Sequence, residues 1–398
     1  MKIVVCGAGI AGLALAQRLD TLGFEVVVLE KAPEPRPQGY MIDFFGPGYD
    51  AAEAMGVLPR LRELSHRVDE ARYVDARGRR RAGLDYDRFA RAVGGRLLSI
   101  MRPDVERALR EHLSDRVDLR YATSIAQLDN RPDGVGLVLT DGSELDAALL
   151  VGADGIHSRV RAEVFGEEER FIRYLGFHTA AYVFADPAVR ADVGDGFCLT
   201  DSRDRMMGFY ALDGERVAAF TAHRTSDPAV PEDVRSAVRR TYGSLGWVVP
   251  RALEACPPAE EIYYDQVSQV SMPAWSRGRV TLIGDSCQAV SLLAGMGASL
   301  AVAGAHVLAE YLAGEESVEA ALGRYEREWR PVVEEKQRVG RRGARIFLPD
   351  SGWALWARRI ALRLSALPGV DRYIAASLTG KPVGLPEPAA PARDAGRG

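Results

Sequence analysis

Apolar and polar positions along the chain predict a strand–turn–helix–strand opening. Ile3-Val4-Val5-Cys6 is a short β-branched run. After a turn at Gly7 to Gly12, Leu13, Ala14, Ala16, Leu19 and Leu22 recur at helical spacing, and Gly23 stops the helix. Glu25 to Leu29 is a second apolar strand, ending at Glu30. Pro33, Pro35 and Pro37 make 31–38 a loop. A hairpin is expected over 72–84, a helix from Pro103 to about Leu113, and a second hairpin around Asp141-Gly142 that runs into Ala148–Val151. Over 170–275 the pattern changes. Aromatic and β-branched runs (Phe177–Phe184, Met206–Leu212, Val217–Thr221) alternate with Asp/Gly turns, which predicts an antiparallel sheet with a helix near 231–245. A strand at Arg279–Ile283, a turn at Gly284-Asp285, an Ala-rich helix from Gly297 to Leu312 and helical patterns over 317–346 and 352–379 complete the chain.

Composition narrows the class. With 47% hydrophobic and 27% charged residues, the 398-residue chain is not mostly disordered and is long enough for two domains. A formal charge of −4 argues against a nucleic-acid binder. Cys6, Cys198, Cys256 and Cys287 lie far apart without CxxC spacing, which disfavours a zinc site or a disulfide scaffold and suits a reducing cytoplasm. No signal-peptide pattern opens the sequence, and no apolar run reaches the roughly 20 residues of a membrane span. Only four of the 51 basic residues are lysine, a bias too global to mark a site.

Gly7-Ala8-Gly9-Ile10-Ala11-Gly12 follows a strand and opens a helix. The first glycine permits the tight turn. The second lets a pyrophosphate approach the backbone, and the third lets helix and strand pack closely. The helix start offers free N–H groups to the anion. Glu30, 18 residues past Gly12, stands where a carboxylate can accept bonds from ribose hydroxyls. A dinucleotide is expected, although this fingerprint does not separate NAD from FAD.

Two further motifs resemble those of the class A flavoprotein monooxygenases, the p-hydroxybenzoate hydroxylase family. Val151-Gly152-Ala153-Asp154-Gly155-Ile156-His157-Ser158-Arg159-Val160-Arg161 resembles that family's Asp-Gly motif. Arg279-Val280-Thr281-Leu282-Ile283-Gly284-Asp285, followed by Gly295-Met296-Gly297-Ala298, resembles its Gly-Asp motif. Arg102 matches a family arginine near the cofactor, and the resemblance covers roughly residues 1–350. It implies FAD, with NADH or NADPH as a transient reductant, since no second strand–GxGxxG–helix is visible. It implies cofactor contacts from Gly7, Ala8, Gly9, Ile10, Ala11, Gly12, Glu30, Lys31, Arg102, Asp154, Gly284, Asp285, Gly295, Gly297 and Ala298. Asp43 lies inside the apolar stretch Gly39–Phe45, where a carboxylate is costly unless bonded. That stretch resembles the segment reaching the flavin edge in tetracycline-inactivating members, so a cofactor or active-site role is expected for Asp43.

The implied fold is α/β: a Rossmann-like FAD-binding domain with an inserted, mostly antiparallel substrate sheet and C-terminal helices. The expected division assigns 1–70, 98–168 and 276–348 to the FAD domain and 71–97 with 169–275 to the substrate domain. A C-terminal helix is expected over 349–385 and a disordered tail over 386–398. Candidate substrate contacts are His178, Met206, Phe209, Tyr210 and His223. No catalytic side chain is assigned and no metal is expected. The chain departs from the family at Gln288, commonly histidine, and at Leu292, where a proline is expected beside the flavin ring. These departures keep a FAD-dependent reductase as the alternative to a monooxygenase acting on a hydrophobic small molecule, with natural-product tailoring as its expected setting. Trp353 and Trp356 are three apart on a predicted helix, which excludes the flavin halogenase signature. The sequence leaves the oligomeric state open.

Overall fold

Strand β1 (Lys2–Cys6) is apolar on both faces, so it must lie inside a covered parallel sheet. The computed structural model, which describes residues 1–291, 295–364 and 383–386, places it there. The six-stranded sheet runs β17 (Ser276–Arg277), β18 (Val280–Leu282), β11 (Leu149–Gly152), β1, β2 (Glu25–Leu29), β7 (Asp118–Arg120). All its pairs are parallel except β17–β18. Val4, Val5, Val28, Leu149 and Leu150 are fully buried, each contributing about 1.5–3 kcal/mol. The helices Ile10–Thr21 and Gly297–Gly314 cover the sheet beside the glycine turn. A separate three-stranded meander, β8 (Ile125–Arg131), β9 (Gly134–Leu139) and β10 (Glu144–Ala147), leads back into β11.

The second sheet has seven strands in the order β16 (Tyr263–Val270), β12 (Ile172–Ala185), β15 (Arg216–Arg224), β14 (Arg205–Ala211), β13 (Phe197–Ser202), β4 (Glu70–Val74), β5 (Arg80–Asp85). Its pairs are antiparallel except β13–β4, which joins the early hairpin to the later strands. Period-2 alternation gives it two packed faces. On the inner face Phe177, Phe197, Leu199, Met206, Tyr210, Ala218, Ala222 and Val267 pack with Met41, Tyr86, Met101 and Leu348. On the outer face Tyr182, Phe184, Met207, Phe209 and Val217 pack under helices Val234–Tyr242 and Val249–Glu254. A short antiparallel pair, β3 (Met41–Phe45) and β6 (Leu97–Met101), lies between the two sheets.

The predicted elements recur with small shifts, but the sequence pattern does not flag β6, β8, β13 or β16. The Gly297 helix extends to Gly314, and Val318–Phe347 is continuous through Pro331. The last described helix is Gly352–Leu364. The expected helical stretch at 365–379 and the tail, but for Pro386, lie outside the described residues. Among the described residues no helix is long and apolar enough to cross a membrane, and no cluster of three His, Cys, Asp or Glu could hold a metal.

The Gly352–Leu364 helix is fastened by charge. The Asp201 side chain is 1% exposed and pairs with both Arg358 and Arg359, the latter at 2.8 Å. Arg358 also lies over the Tyr73 ring. Asp201→Ala should cost about 3–5 kcal/mol, because it leaves buried guanidinium charge uncompensated. Urea denaturation would read the loss. An unchanged midpoint would show that other contacts hold the helix.

Candidate active site

Three turns meet at the C-terminal ends of β1, β11 and β18. Gly7 has φ +108°, and a Cβ there would sit 2.5 Å from the Ala153 carbonyl oxygen. A Cβ on Gly12 would lie 1.9 Å from the Gly7 carbonyl oxygen. Both glycines are therefore packing requirements. Gly9 is different: the nearest atoms to its Cβ position are Glu106 Oε1 at 3.7 Å and Arg102 Nη2 at 3.9 Å. The protein leaves a cradle over Gly9 at the start of the Ile10–Thr21 helix, where an anion is stabilised by free N–H groups. Ile10 and Ala11 are buried in that helix's packing face.

Glu30 closes the turn. Its Oε2 accepts from Ala8 N at 2.9 Å and its Oε1 from Ala32 N at 2.8 Å. Lys31 beside it is exposed. Arg102 starts helix Arg102–Glu111 and pairs with Glu106 at 2.9 Å. Its guanidinium faces Tyr40, Tyr263 and Asp285.

Gly284, φ +59°, turns β18 into a four-residue helix that begins at Asp285. Ser286 Oγ donates to the Gly152 carbonyl at 2.8 Å, and the fully buried Arg161 donates to the Ser286 carbonyl at 2.9 Å. The Asp285 turn is thus locked to the Asp-Gly turn. Asp285 is accessible, yet burial is the main influence on its carboxyl and raises its pKa, with Arg102 opposing. It faces a hollow bounded by Arg102, Tyr40 and Gly297. A Cβ on Gly297, the first residue of the long Ala-rich helix, would be 4.0 Å from Asp285 Oδ1, with Ala298 partly buried behind it. Gly295 adopts φ +64°.

The other wall of the hollow is aromatic. Tyr40 lies 5.4 Å from Tyr263 and 6.3 Å from Phe220, ring centroid to centroid. All three are partly accessible. The hollow thus has carboxylate, guanidinium and free N–H groups on one side and apolar rings on the other. That donor set fits FAD. Asp285 and Arg102 are aimed inward, and a Cβ would fill the Gly9 cradle.

A family model described as FAD binding domain matches residues 1–338. The chain belongs to this FAD-dependent monooxygenase family. An uncharacterized protein of Mycobacterium tuberculosis is 32% identical over 346 residues, covering 84% of this chain and 91% of the relative. A flavin-dependent monooxygenase from an unknown prokaryotic organism is 30% identical over 358 residues, covering 88% and 91%. The crystal structure of tetracycline destructase Tet(55) superposes with a TM-score of 0.82 at 27% identity, covering 97% of this chain and 98% of that one.

Within this flavoenzyme the expected residues divide. Gly9, Arg102, Asp285 and Gly297 face one hollow, Glu30 is bonded to the Ala8 N–H beside it, and Gly7, Gly12 and Gly284 shape the turns. Asp154 serves its own turn: Ser158 Oγ donates to Oδ1 at 2.5 Å and Val160 N to Oδ2 at 3.1 Å. Both carboxylate oxygens are thereby engaged in the 154–160 turn, as both of Glu30 are in the glycine turn. His157 beside it pairs with Glu168 at 2.8 Å and faces Asp265 at 3.6 Å, and these partners raise its pKa to about 9.

The substrate candidates also divide, by strand parity. Met206 and Tyr210 point to the inner face. Phe209, His178 and His223 point away from the flavin side, which corrects their expected role. Phe209 packs in the outer core. His178 bonds Tyr264 at 3.1 Å and His223 bonds Tyr242 at 2.9 Å. Burial lowers both histidine pKa values, His223 to about 4. The sequence reading missed Tyr40, Phe220 and Tyr263. The alternation Tyr263, Asp265, Val267 could have flagged the last of these.

Gln288 likewise turns away from the hollow. Its amide accepts from Trp329 Nε1 at 3.3 Å and donates to Tyr325 Oη. Replacing the family's usual histidine therefore changes the packing against the Val318–Phe347 helix. Leu292 lies outside the described residues. Cys287 is buried, and burial pushes its thiol pKa well up, so it is inert. The adjoining backbone is clamped. Gln269 Nε2 donates to the carbonyls of Val290 (2.8 Å) and Gln337 (2.9 Å), and Gln337 Nε2 donates to those of Val270 (2.8 Å) and Ala289 (3.0 Å). Gln288→Ala should cost about 1–3 kcal/mol by leaving Trp329 unpaired, with no change in FAD affinity. Denaturation and flavin titration would check this. A lost flavin with intact stability would put Gln288 in the cofactor site after all.

Proposed function

We propose that this chain is an NAD(P)H-dependent FAD monooxygenase that adds one oxygen atom to a hydrophobic small molecule, with FAD held by 1–70, 98–168 and 276–348 and substrate taken against 71–97 and 169–275. The observation that carries this reading is the two-sided hollow: Gly9, Arg102 and Asp285 on one wall, Tyr40, Phe220 and Tyr263 on the other. Gly9 and the helix start after it would hold the pyrophosphate. Glu30 would meet the ribose, and Asp285 the sugar-alcohol hydroxyls. Bound FAD supplies electron transfer from NAD(P)H and the activation of oxygen. The chain's own work is to orient the substrate and keep water out. The inner face suits this, because it places apolar rings and methionines opposite the cofactor wall. The likeness to tetracycline destructase Tet(55) supports a ring-bearing substrate, and natural-product tailoring is the setting we favour. Purified protein should be yellow with FAD and consume NAD(P)H and oxygen together. With ¹⁸O₂ and a turned-over ligand, the product should gain one labelled atom. A ligand reduced anaerobically without oxygen gain would overturn this in favour of a reductase.

A further inference from the structure

Two acids away from the surface have no part in the cofactor reading. Asp43, on β3 between the sheets, is answered by hydroxyls: Ser99 Oγ donates to its Oδ1 at 2.8 Å and Tyr86 Oη to its Oδ2 at 3.0 Å. Glu106 is placed differently. It lies one turn into helix Arg102–Glu111 and is only 8% exposed, and its Oε1 pairs with Arg102 Nη2 at 2.9 Å. The same oxygen stands 3.7 Å from the Cβ position of Gly9. Whatever fills the Gly9 cradle therefore meets a carboxyl oxygen. For a pyrophosphate that oxygen has the wrong sign unless the carboxyl carries a proton, because a like charge disfavours the ionised form.

Protonation turns this conflict into a bond. An ionised carboxylate only accepts, whereas a carboxylic acid also donates. An O–H donated to a phosphate oxygen is a charge-assisted bond. Resting on the placement of the pyrophosphate at Gly9 above, we propose that Glu106 is a phosphate-binding residue, which takes up one proton from water as FAD binds and donates it to a pyrophosphate oxygen. Its surroundings favour that uptake. Burial holds the Glu106 carboxyl above the ordinary glutamate range, with Arg102 opposing and the Glu30 charge adding to the effect. Arg110 on the same helix and Arg36 from the 31–38 loop are further charged neighbours. Of the helices alongside, Ile10–Thr21 brings no acid in its first turn, and Arg60 of Leu58–Leu64 is committed to Glu63 and Glu111. The phosphate charges push protonation further in the same direction. Proton uptake and FAD affinity are then linked. The gain is complete at acidic pH and is lost as pH rises through the range where Glu106 ionises in the complex, by up to about tenfold per pH unit for one proton.

The test reads FAD affinity from mildly acidic to mildly alkaline pH, by flavin fluorescence on dilution of the holoprotein. Protons are counted by calorimetric FAD titration of the deflavinated full chain in two buffers of different ionisation enthalpy. Glu106→Gln, whose amide donates at every pH, should match wild type at the acidic end and bind FAD about tenfold more tightly at the alkaline end. It should also take up about one proton fewer. Asp285 releases a proton if it ionises to meet the FAD hydroxyls, but wild type and variant share it, so their difference reads Glu106 alone. Glu106→Met is neutral and has no donor. It should show the same pH response as Glu106→Gln and bind about tenfold more weakly, the worth of one hydrogen bond. It also keeps the pH comparison available if the glutamine variant fails to fold. Wild type and variants that respond to pH alike, with equal proton counts, would overturn the proposal. Gly9→Ala, measured alongside, separates the two levels. If it weakens FAD binding while wild type and Glu106→Gln respond to pH alike, only this proposal is lost. If it binds FAD as wild type does, the pyrophosphate placement beneath it is lost as well.

Discussion

Gly12→Ala should abolish the folded FAD-binding state, whereas Gly9→Ala should fold normally and bind FAD poorly. The two glycines share one turn, yet a Cβ meets different things at each. At Gly12 it would overlap the Gly7 carbonyl oxygen at 1.9 Å, and neither backbone can yield. The cost should exceed about 4 kcal/mol, beyond the range of ordinary substitutions. At Gly9 the nearest protein atom is 3.7 Å away, an ordinary contact. The methyl group would instead occupy the cradle meant for the pyrophosphate. Overpacking costs about 1–3 kcal/mol, which is roughly a five- to 150-fold loss of affinity. Thermal unfolding of the apoprotein and flavin titration distinguish the two. If Gly9→Ala binds FAD as wild type does, the cradle is not where the cofactor lies.

Asp285→Asn should move stability and affinity in opposite directions. Burial raises the Asp285 carboxyl pKa above its unfolded value. Such a group stabilises the fold only while protonated, and that contribution is lost as pH rises through the folded pKa. As pH rises above the ordinary carboxylate range that contribution fades, so the asparagine variant should gain melting temperature over wild type in that direction. The gap should close on acidification below the ordinary carboxylate range. FAD affinity should fall roughly ten- to hundredfold, since charge-assisted bonds of about 1.5–3 kcal/mol are weakened. A variant with equal melting temperature and equal affinity would reduce Asp285 to a turn residue.

Much of this was legible because its causes are local. The spacing of Gly7, Gly9 and Gly12 and the acid at Glu30 encode their own geometry, and the apolar run of β1 can only be central in a sheet. What the sequence leaves open depends on strand register or on partners distant in sequence. His178, Phe209 and His223 were placed with the substrate because their strands were recognised. Which face a strand residue takes is set by register, and a shift of one residue inverts it. Gln288 read as a defect in a motif, because its partners Tyr325 and Trp329 lie some 40 residues away and nothing near Gln288 announces them. Tyr86 and Ser99 lie 43 and 56 positions from Asp43, so the bonds they donate to it have no local signature at all.

The paired amides of Gln269 and Gln337 bear on how such an enzyme acquires new substrates. They tie β16, the long Val318–Phe347 helix and the backbone at Ala289–Val290 into one frame. Three partners must then change together for that wall to move, and any single replacement strands a buried carbonyl. On the inner face of strands β13 to β15, Phe197, Met206 and Phe220 are held by packing, and the charged tie there, Asp201 with Arg358 and Arg359, lies at one end. Evolution, natural or in the laboratory, should therefore find its viable steps along that side, one side chain at a time, while the β16 side stays constant through the lineage.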